Sequence, residues 1–176
     1  MLWGVDHWNV VPDILTVAKS LGGGVMPISA VITTEKIYQP MMYPNPFMHT
    51  TTTGGGALAC SAAISAIHVT LRERLWEQAA EKGAYLISQL EKFAAHYPQI
   101  YEKITGKGLL IGMHFKTPEI GYKAASGLFK RNVLVAGTLT SAQTIRIEPP
   151  LIVSKEQIDM LLERLNDVLQ EISEAM

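Results

Sequence analysis

Apolar positions change their spacing several times along the chain, and each change predicts a different element. A short continuous run from Ile14 to Ala18, followed by Lys19 and then Gly22-Gly23-Gly24, predicts a buried strand that ends at a glycine bend or hairpin. The β-branched stretch Pro27 to Thr34 predicts a second strand. Pro40, Pro44 and Pro46 then interrupt a Met- and Tyr-rich segment, Gln39 to Met48, which reads as a loop. From Ala57 to Leu71 the residues are apolar almost all round, the pattern of a helix buried on every side.

The second half of the chain is patterned differently. Ala79, Gly83, Leu86, Leu90, Phe93 and Tyr97 recur at spacings of four and three, which predicts a one-faced helix ending before Pro98. Beyond it the pattern becomes α+β. A strand is predicted over Lys107 to Phe115, a helix over about Pro118 to Lys130, and short strands near Val133 to Val135 and over Thr144 to Ile147. Ser154 with Gln157 three residues on forms a capping box. It opens a last helix whose buried stripe is Ile158, Leu161, Leu162, Leu165, Val168, Leu169 and Ile172. A domain boundary falls inside the second helix or just after it, dividing 1–97 from 98–176.

Three places in this pattern could carry chemistry. Lys19 stands at a strand end, where a sheet commonly hosts its site, and it admits two readings: a side chain snorkelling to solvent, or a Schiff-base lysine. The adjacent glycines do not make a phosphate loop. Ala18 and Asp13 occupy the positions where a Walker loop needs glycine, and Pro27 stands where the dinucleotide fingerprint needs its third. The four threonines at 50–53 precede a glycine-rich helix start, which offers hydroxyls, free N–H groups and a positive dipole end to a phosphate. Thr52 is the candidate there, with a threonine-rich strand or cap as the alternative. Arg146 alternates with Ile145 and Ile147, so it points away from the core, either as a surface arginine or as a carboxylate anchor. The five histidines show no metal-ligand spacing, and no metal site is expected.

The segment Pro12 to Thr34 resembles the cofactor-lysine region of class III aminotransferases, pyridoxal-phosphate enzymes of fold type I. A second match is His49 through Thr50-Thr51-Thr52-Thr53-Gly54-Gly55-Gly56 to Cys60. A third runs from Ile120-Gly121-Tyr122 through Val133 to Leu139 and on to Thr144-Ile145-Arg146-Ile147-Glu148-Pro149-Pro150-Leu151. The resemblance implies an α/β fold: the C-terminal portion of a fold type I transferase, with the end of its large α/β domain in 1–97 and a small α+β domain in 98–176. It implies that Lys19 holds pyridoxal 5'-phosphate, that Thr52 touches the cofactor phosphate of a second subunit in a homodimer, and that Arg146 binds a substrate carboxylate. The third run narrows the expected reaction to transfer of the terminal amine of a diamine such as putrescine to 2-oxoglutarate. Ornithine, acetylornithine or 4-aminobutyrate as donor, and a non-catalytic fragment or assembly module, are the alternatives.

Two departures matter. Gly56 and Ala57 replace the family's Asn-Pro, so the helix start lacks a proline pre-organised for the first turn. The segments in which the family keeps its phosphate loop, ring-stacking aromatic and ring-nitrogen aspartate have no counterpart in these 176 residues, so an incomplete chain is expected.

Composition removes whole classes of function. A formal net charge of −1 with scattered basic residues gives no footprint for nucleic acid or an anionic membrane surface. No apolar stretch approaches the ~20 residues that a membrane-spanning helix needs, and Met1 to Val5 lacks the form of a signal peptide. The single cysteine, Cys60, excludes an internal disulfide framework and reads as a small buried apolar group. A cytoplasmic protein is expected. Hydrophobic residues make up 48% of the chain, which suggests that part of its surface meets a partner.

Overall fold

The computed structural model describes residues 3–176, so Met1 and Leu2 of the segment tested for a signal peptide lie outside the described residues. The chain forms two compact units, the first ending at Arg74 and the second spanning Leu75–Met176.

In the first unit, β1 (Ile14–Val17) and β2 (Ala30–Thr33) pair antiparallel with Ile14 opposite Thr33 and Val17 opposite Ala30. The hairpin predicted from the glycine bend is therefore present. Its connection contains a single 3-10 turn, Lys19–Gly22, closed by Gly23 in the left-handed region. The predicted burial of this strand is not found. β1 alternates between exposed and half-buried residues, and Ile14 is 54% exposed, because a two-stranded sheet has few neighbours to cover it.

Two helices complete this unit. α1 (Glu35–Met42) occupies the start of the stretch read as a loop, and Pro40 sits inside it. Proline is tolerated there because Pro40 falls in the last turn, where only two further residues continue the helix. Thr34 caps its first turn by accepting a bond from the Ile37 amide. α2 (Ala57–Arg72) forms where predicted but is not buried on every side: Ala63 is its only buried residue, and Leu58 and Ile64 are 70% and 54% exposed. Within this unit the turn at Lys19–Gly22 packs on α2, and a Cβ on Gly23 would stand 3.1 Å from that of Ala66. Cys60 is half-buried and free rather than fully buried.

The second unit is built on an antiparallel sheet in the order β3-β4-β6-β5. α3 (Leu75–His96) leads into β3 (Tyr101–Lys107) and β4 (Leu110–Phe115), followed by α4 (Pro118–Lys130), β5 (Ala136–Gly137), β6 (Thr144–Ile147) and α5 (Lys155–Glu174). The run Lys107 to Phe115, read as one strand, is the end of one strand and the whole of the next. Gly108 makes the tight turn between them at φ +56°. The strand read near Val133 to Val135 forms at Ala136–Gly137 instead, while Val133 and Val135 pack at the edge of the core.

Alternation along β4 and β6 directs Ile111, Met113, Phe115, Ile145 and Ile147 into one core beneath the helices. The helices meet it with their predicted stripes, Leu86 and Leu90 from α3, Leu128 from α4, and Leu165 and Leu169 from α5, all fully buried. Each such side chain contributes about 2 kcal/mol relative to remaining exposed. Caps fix where the last two helices begin. Thr117 accepts from the Ile120 amide, and Ser154 and Gln157 bond each other's backbone reciprocally.

α3 packs with β3, β4 and α5, within the unit that spans Leu75–Met176. The approach is closest at Gly83, where an added Cβ would lie 2.1 Å from the Gly108 carbonyl oxygen. Tyr85 on α3 donates to Asp159 on α5 at 2.5 Å, and Lys155 bonds the same carboxylate at 2.8 Å with its ammonium 4.6 Å from the Tyr85 ring centroid. Among the described residues no helix is long and apolar enough to cross a membrane.

Two outcomes follow for this unit. Gly83→Ala forces backbone from backbone and is expected to destabilise it by about 2 kcal/mol or more in urea unfolding. The Lys155 ammonium, with the Tyr85 hydroxyl, holds the Asp159 carboxyl below its usual range. Its contribution is therefore present above the unfolded carboxylate range of about 4 and is lost as pH falls through the lower folded value. Asp159→Asn should flatten that acid limb in a pH series of thermal unfolding.

Candidate functional site

Lys19 sits at the end of β1 as the first residue of the 3-10 turn, and its backbone is left-handed at φ +55°. That conformation is unfavourable for a residue with a side chain, so the fold holds this lysine against its local preference. The strain is an observation of the kind that collects at functional positions. Lys19 is exposed, and its amine has no hydrogen-bond or ion-pair partner among the described residues. An exposed, unpaired primary amine on a constrained backbone is able to condense with a carbonyl.

Thr52 lies in the exposed loop before α2, and its hydroxyl is likewise without a partner among the described residues. The helix that follows is capped by Gly56, with no side chain bonding its first amides. Those amides, the dipole and the threonine hydroxyls together suit a phosphate. No hydrogen bond joins Thr52 to Lys19 among the described residues. The lysine turn meets α2 at Ala66, nine residues past Ala57, which is roughly 13 Å along the helix axis.

Arg146 belongs to the second unit. As predicted, Ile145 and Ile147 face the core, and the half-buried Arg146 faces the other way. Its Nε donates to the Gly137 carbonyl at 3.2 Å, and one terminal nitrogen lies 3.5 Å from the Glu148 carboxylate. Both partners of that pair are more than two-fifths exposed, so it is worth less than about 1 kcal/mol and leaves the guanidinium open to another carboxylate.

The same face of this sheet carries groups that the sequence pattern alone did not single out. In the sequence His114 is one of five histidines without metal-ligand spacing. Its Nε2 lies 2.8 Å from the Thr105 hydroxyl and its Nδ1 3.0 Å from that of Thr144. The signal was available in the alternation of β4, which sends Gly112 and His114 to the face opposite Met113 and Phe115. Cross-strand register was not, and it sets Gly112 opposite Arg146 and His114 opposite Thr144. Among the described residues no group of three or more His, Cys, Asp or Glu side chains could hold a metal.

The sequence profile of the family "Aminotransferase class-III" matches residues 1–169. The chain is 46% identical over 175 residues to a putrescine aminotransferase of Pectobacterium atrosepticum, an alignment covering 99% of this chain and 37% of that protein. Among solved structures it is similar to the ornithine aminotransferase of Toxoplasma gondii, with a TM-score of 0.90 and 30% identity over 100% of this chain and 41% of that one. It also resembles the acetylornithine aminotransferase of Elizabethkingia anophelis, with a TM-score of 0.87 and 31% identity over 97% of this chain and 42% of that one. The chain thus spans about two fifths of the relatives that it matches, and its fold is that of the C-terminal portion of these enzymes.

The left-handed backbone at Lys19 gives a stability test that is independent of catalysis. Lys19→Gly removes the steric cost while Lys19→Ala keeps it, so the glycine variant is expected to be the more stable by about 1 kcal/mol. Urea unfolding followed by tryptophan fluorescence of the first unit measures the difference. An alanine variant as stable as the glycine variant would show that the turn is unstrained.

Proposed function

The chain belongs to the class-III aminotransferases, and from that premise we propose that the protein transfers the terminal amine of a diamine such as putrescine to a 2-oxo acid, 2-oxoglutarate. The observation that carries this reading is the 46% identity to a putrescine aminotransferase over 99% of the chain, with Lys19 exposed and unpaired at a strand end. In this reading residues 1–97 end the large cofactor-binding domain, with α3 as the helix between domains, and 98–176 form the small domain.

The residues present fit part of what pyridoxal 5'-phosphate needs. Lys19 would hold it covalently, and Thr52 with the amides at the start of α2 would hold its phosphate. The contact of the lysine turn with α2 at Ala66, well past the helix start that follows Thr52, supports a homodimer in which each copy's Thr52 serves the other's cofactor. When bound, the cofactor supplies an aldehyde and an electron-accepting ring. This chain's own part is then to orient and to move a proton. The Lys19 amine, once free, takes a proton from the substrate carbon and returns it. Arg146 binds the oxo acid through its carboxylate, exchanging the weak Glu148 contact for a charge-assisted bidentate one. The single cysteine and the lack of a membrane-crossing helix among the described residues are compatible with a cytoplasmic site of action.

A second reading has its own observation. Val31, Leu58 and Ile64 of the first unit are each more than half exposed, as expected of a module whose apolar faces meet another polypeptide. In that reading the chain assembles without turnover. Light scattering should show self-association, and a clean monomer counts against it.

Adding pyridoxal phosphate should give a visible band that borohydride fixes on Lys19, located by peptide mass, and Lys19→Ala should abolish it. A band surviving in the variant would mean nonspecific labelling of other lysines. The donor is tested on the assembled enzyme. Turnover of ornithine or 4-aminobutyrate far above that of putrescine would overturn the diamine assignment and leave the aminotransferase class standing.

A further inference from the structure

Where α4 and α5 pack against each other in the second unit, they leave a groove of about 250 Å³ between them. Its floor is apolar. Val168 and Ile172 of α5 are buried there against α4, and an added Cβ on Gly127 would stand 2.8 Å from a Val168 methyl group. The rest of the lining is charged or polar: Lys123, Ser126 and Lys130 on α4, Arg131 at the end of that helix, and Glu171 on α5. Tyr122, 75% exposed, lines the same groove.

Glu171, the acid of this lining, is already paired. Arg131 donates one terminal nitrogen to it at 2.6 Å and the other to the Gly127 carbonyl at 3.3 Å, so those two charges offset each other. Lys123 and Lys130 remain as two positive charges without a hydrogen-bond or ion-pair partner among the described residues. The acid four residues before Lys123 is Glu119, whose carboxylate is engaged at the helix start by the Thr117 hydroxyl and its own amide. Ser126 is unengaged too. Thr70 and Ser88 return their hydroxyls to a carbonyl in the preceding turn of their own helices at 2.8 and 2.7 Å, as helix hydroxyls commonly do, whereas Ser126 has no such partner among the described residues. It lies three residues after Lys123 and four before Lys130, so both lysines are its neighbours on one helix face, roughly 5–6 Å away between Cβ atoms. Tyr122, four residues before it, shares that face.

We propose that this groove is a binding site for a small phosphate monoester carried on an aromatic ring. Its phosphate accepts from Lys123, Ser126 and Lys130, and its ring lies on Tyr122 above the apolar floor. Three unengaged donors around one point match the three oxygens of a phosphate group, and two surplus positive charges match its charge of nearly −2 at neutral pH. A carboxylate would leave one lysine unanswered. The flexible four-carbon stems of the lysines allow both ammonium groups to converge on Ser126 from either side. A volume of about 250 Å³ is below the ~300–1,000 Å³ of pockets for drug-sized ligands, which suits one ring with one phosphate. The site uses neither Lys19 nor Arg146, and it lies in a different unit from Thr52.

The test is calorimetric titration of the full 176-residue chain with phenyl phosphate, which has no aldehyde to react with Lys19. A parallel titration of Thr52→Val takes the proposed cofactor-phosphate contact out of the measurement. The expected result is saturable binding in both, weakened by added salt. Lys123→Gln and Lys130→Gln should each weaken it ~10-fold, the worth of one charge-assisted hydrogen bond. Ser126→Ala and Tyr122→Ala should each cost ~3- to 10-fold. All four side chains are exposed or half-buried, so the variants keep the packed core intact. Binding that disappears in Thr52→Val, or that is indifferent to both lysines, overturns the inference, as does the absence of saturable binding. Inorganic phosphate bound as tightly as phenyl phosphate, with Tyr122→Ala without effect, would overturn the assignment to a ring-bearing monoester.

Discussion

The approach of Gly83 to Gly108 brings helix backbone against strand-turn backbone, and the C-terminal unit is organised around it. An added Cβ at Gly83 would meet the carbonyl of Gly108 at 2.1 Å, so the contact tolerates no side chain. With α3 seated that closely, one face of the β3-β4-β6-β5 sheet is committed to the core. The period of two along a strand then leaves no choice about the other face. Met113, Phe115, Ile145 and Ile147 go inward, and Gly112, His114 and Arg146 must go outward. The placement of the candidate anchor is thus a consequence of packing on the opposite side of the sheet.

The first unit lacks a comparable constraint. Its hairpin and two helices bury little of their apolar surface, and α2 presents Leu58 and Ile64 to solvent. Yet it holds Lys19 in a left-handed conformation that costs free energy. A thinly packed unit that nonetheless sustains local strain concentrates its order at the turn. There Gly22 is buried against Ile28, and Gly23 closes the turn against Ala66.

How much of this was legible depended on whether the signal was local. The start of α5 could be read directly because Ser154 with Gln157 is a cap whose chemistry lies within three residues; α4 starts at the expected Pro118, and the structure shows Thr117 as its cap. The buried stripes of α3 and α5 and the outward face of Arg146 followed from periodicity. Where the reading failed, a local signal was overruled or ambiguous. Pro40 suggested a loop but falls in the last turn of α1. The apolar character of Lys107 to Phe115 concealed a turn at Gly108. For α2 the pattern specified apolar surface but not what would cover it. The backbone of Lys19 and the clamp on His114 depend on tertiary register, which no spacing along a single strand encodes.

The two candidate chemical groups therefore stand on supports of different stiffness. Arg146 is held on a strand whose inner residues are fully packed and whose Nε is tied to Gly137, so its position follows the rigid sheet. Lys19 is held by a short turn on a sparsely covered hairpin. Reactive geometry has to be kept to within about half an ångström, and side chains are locked to that degree by surrounding packing rather than by a turn alone. If Lys19 performs the proposed proton transfer, the exposed apolar faces of its unit, Val31 on the hairpin and Ile64 two residues from the Ala66 contact on α2, must be covered in the working protein. The apolar surface of the first unit and the chemistry of its lysine are then two aspects of one requirement: the same contacts that bury Val31 and Ile64 would hold the amine in place.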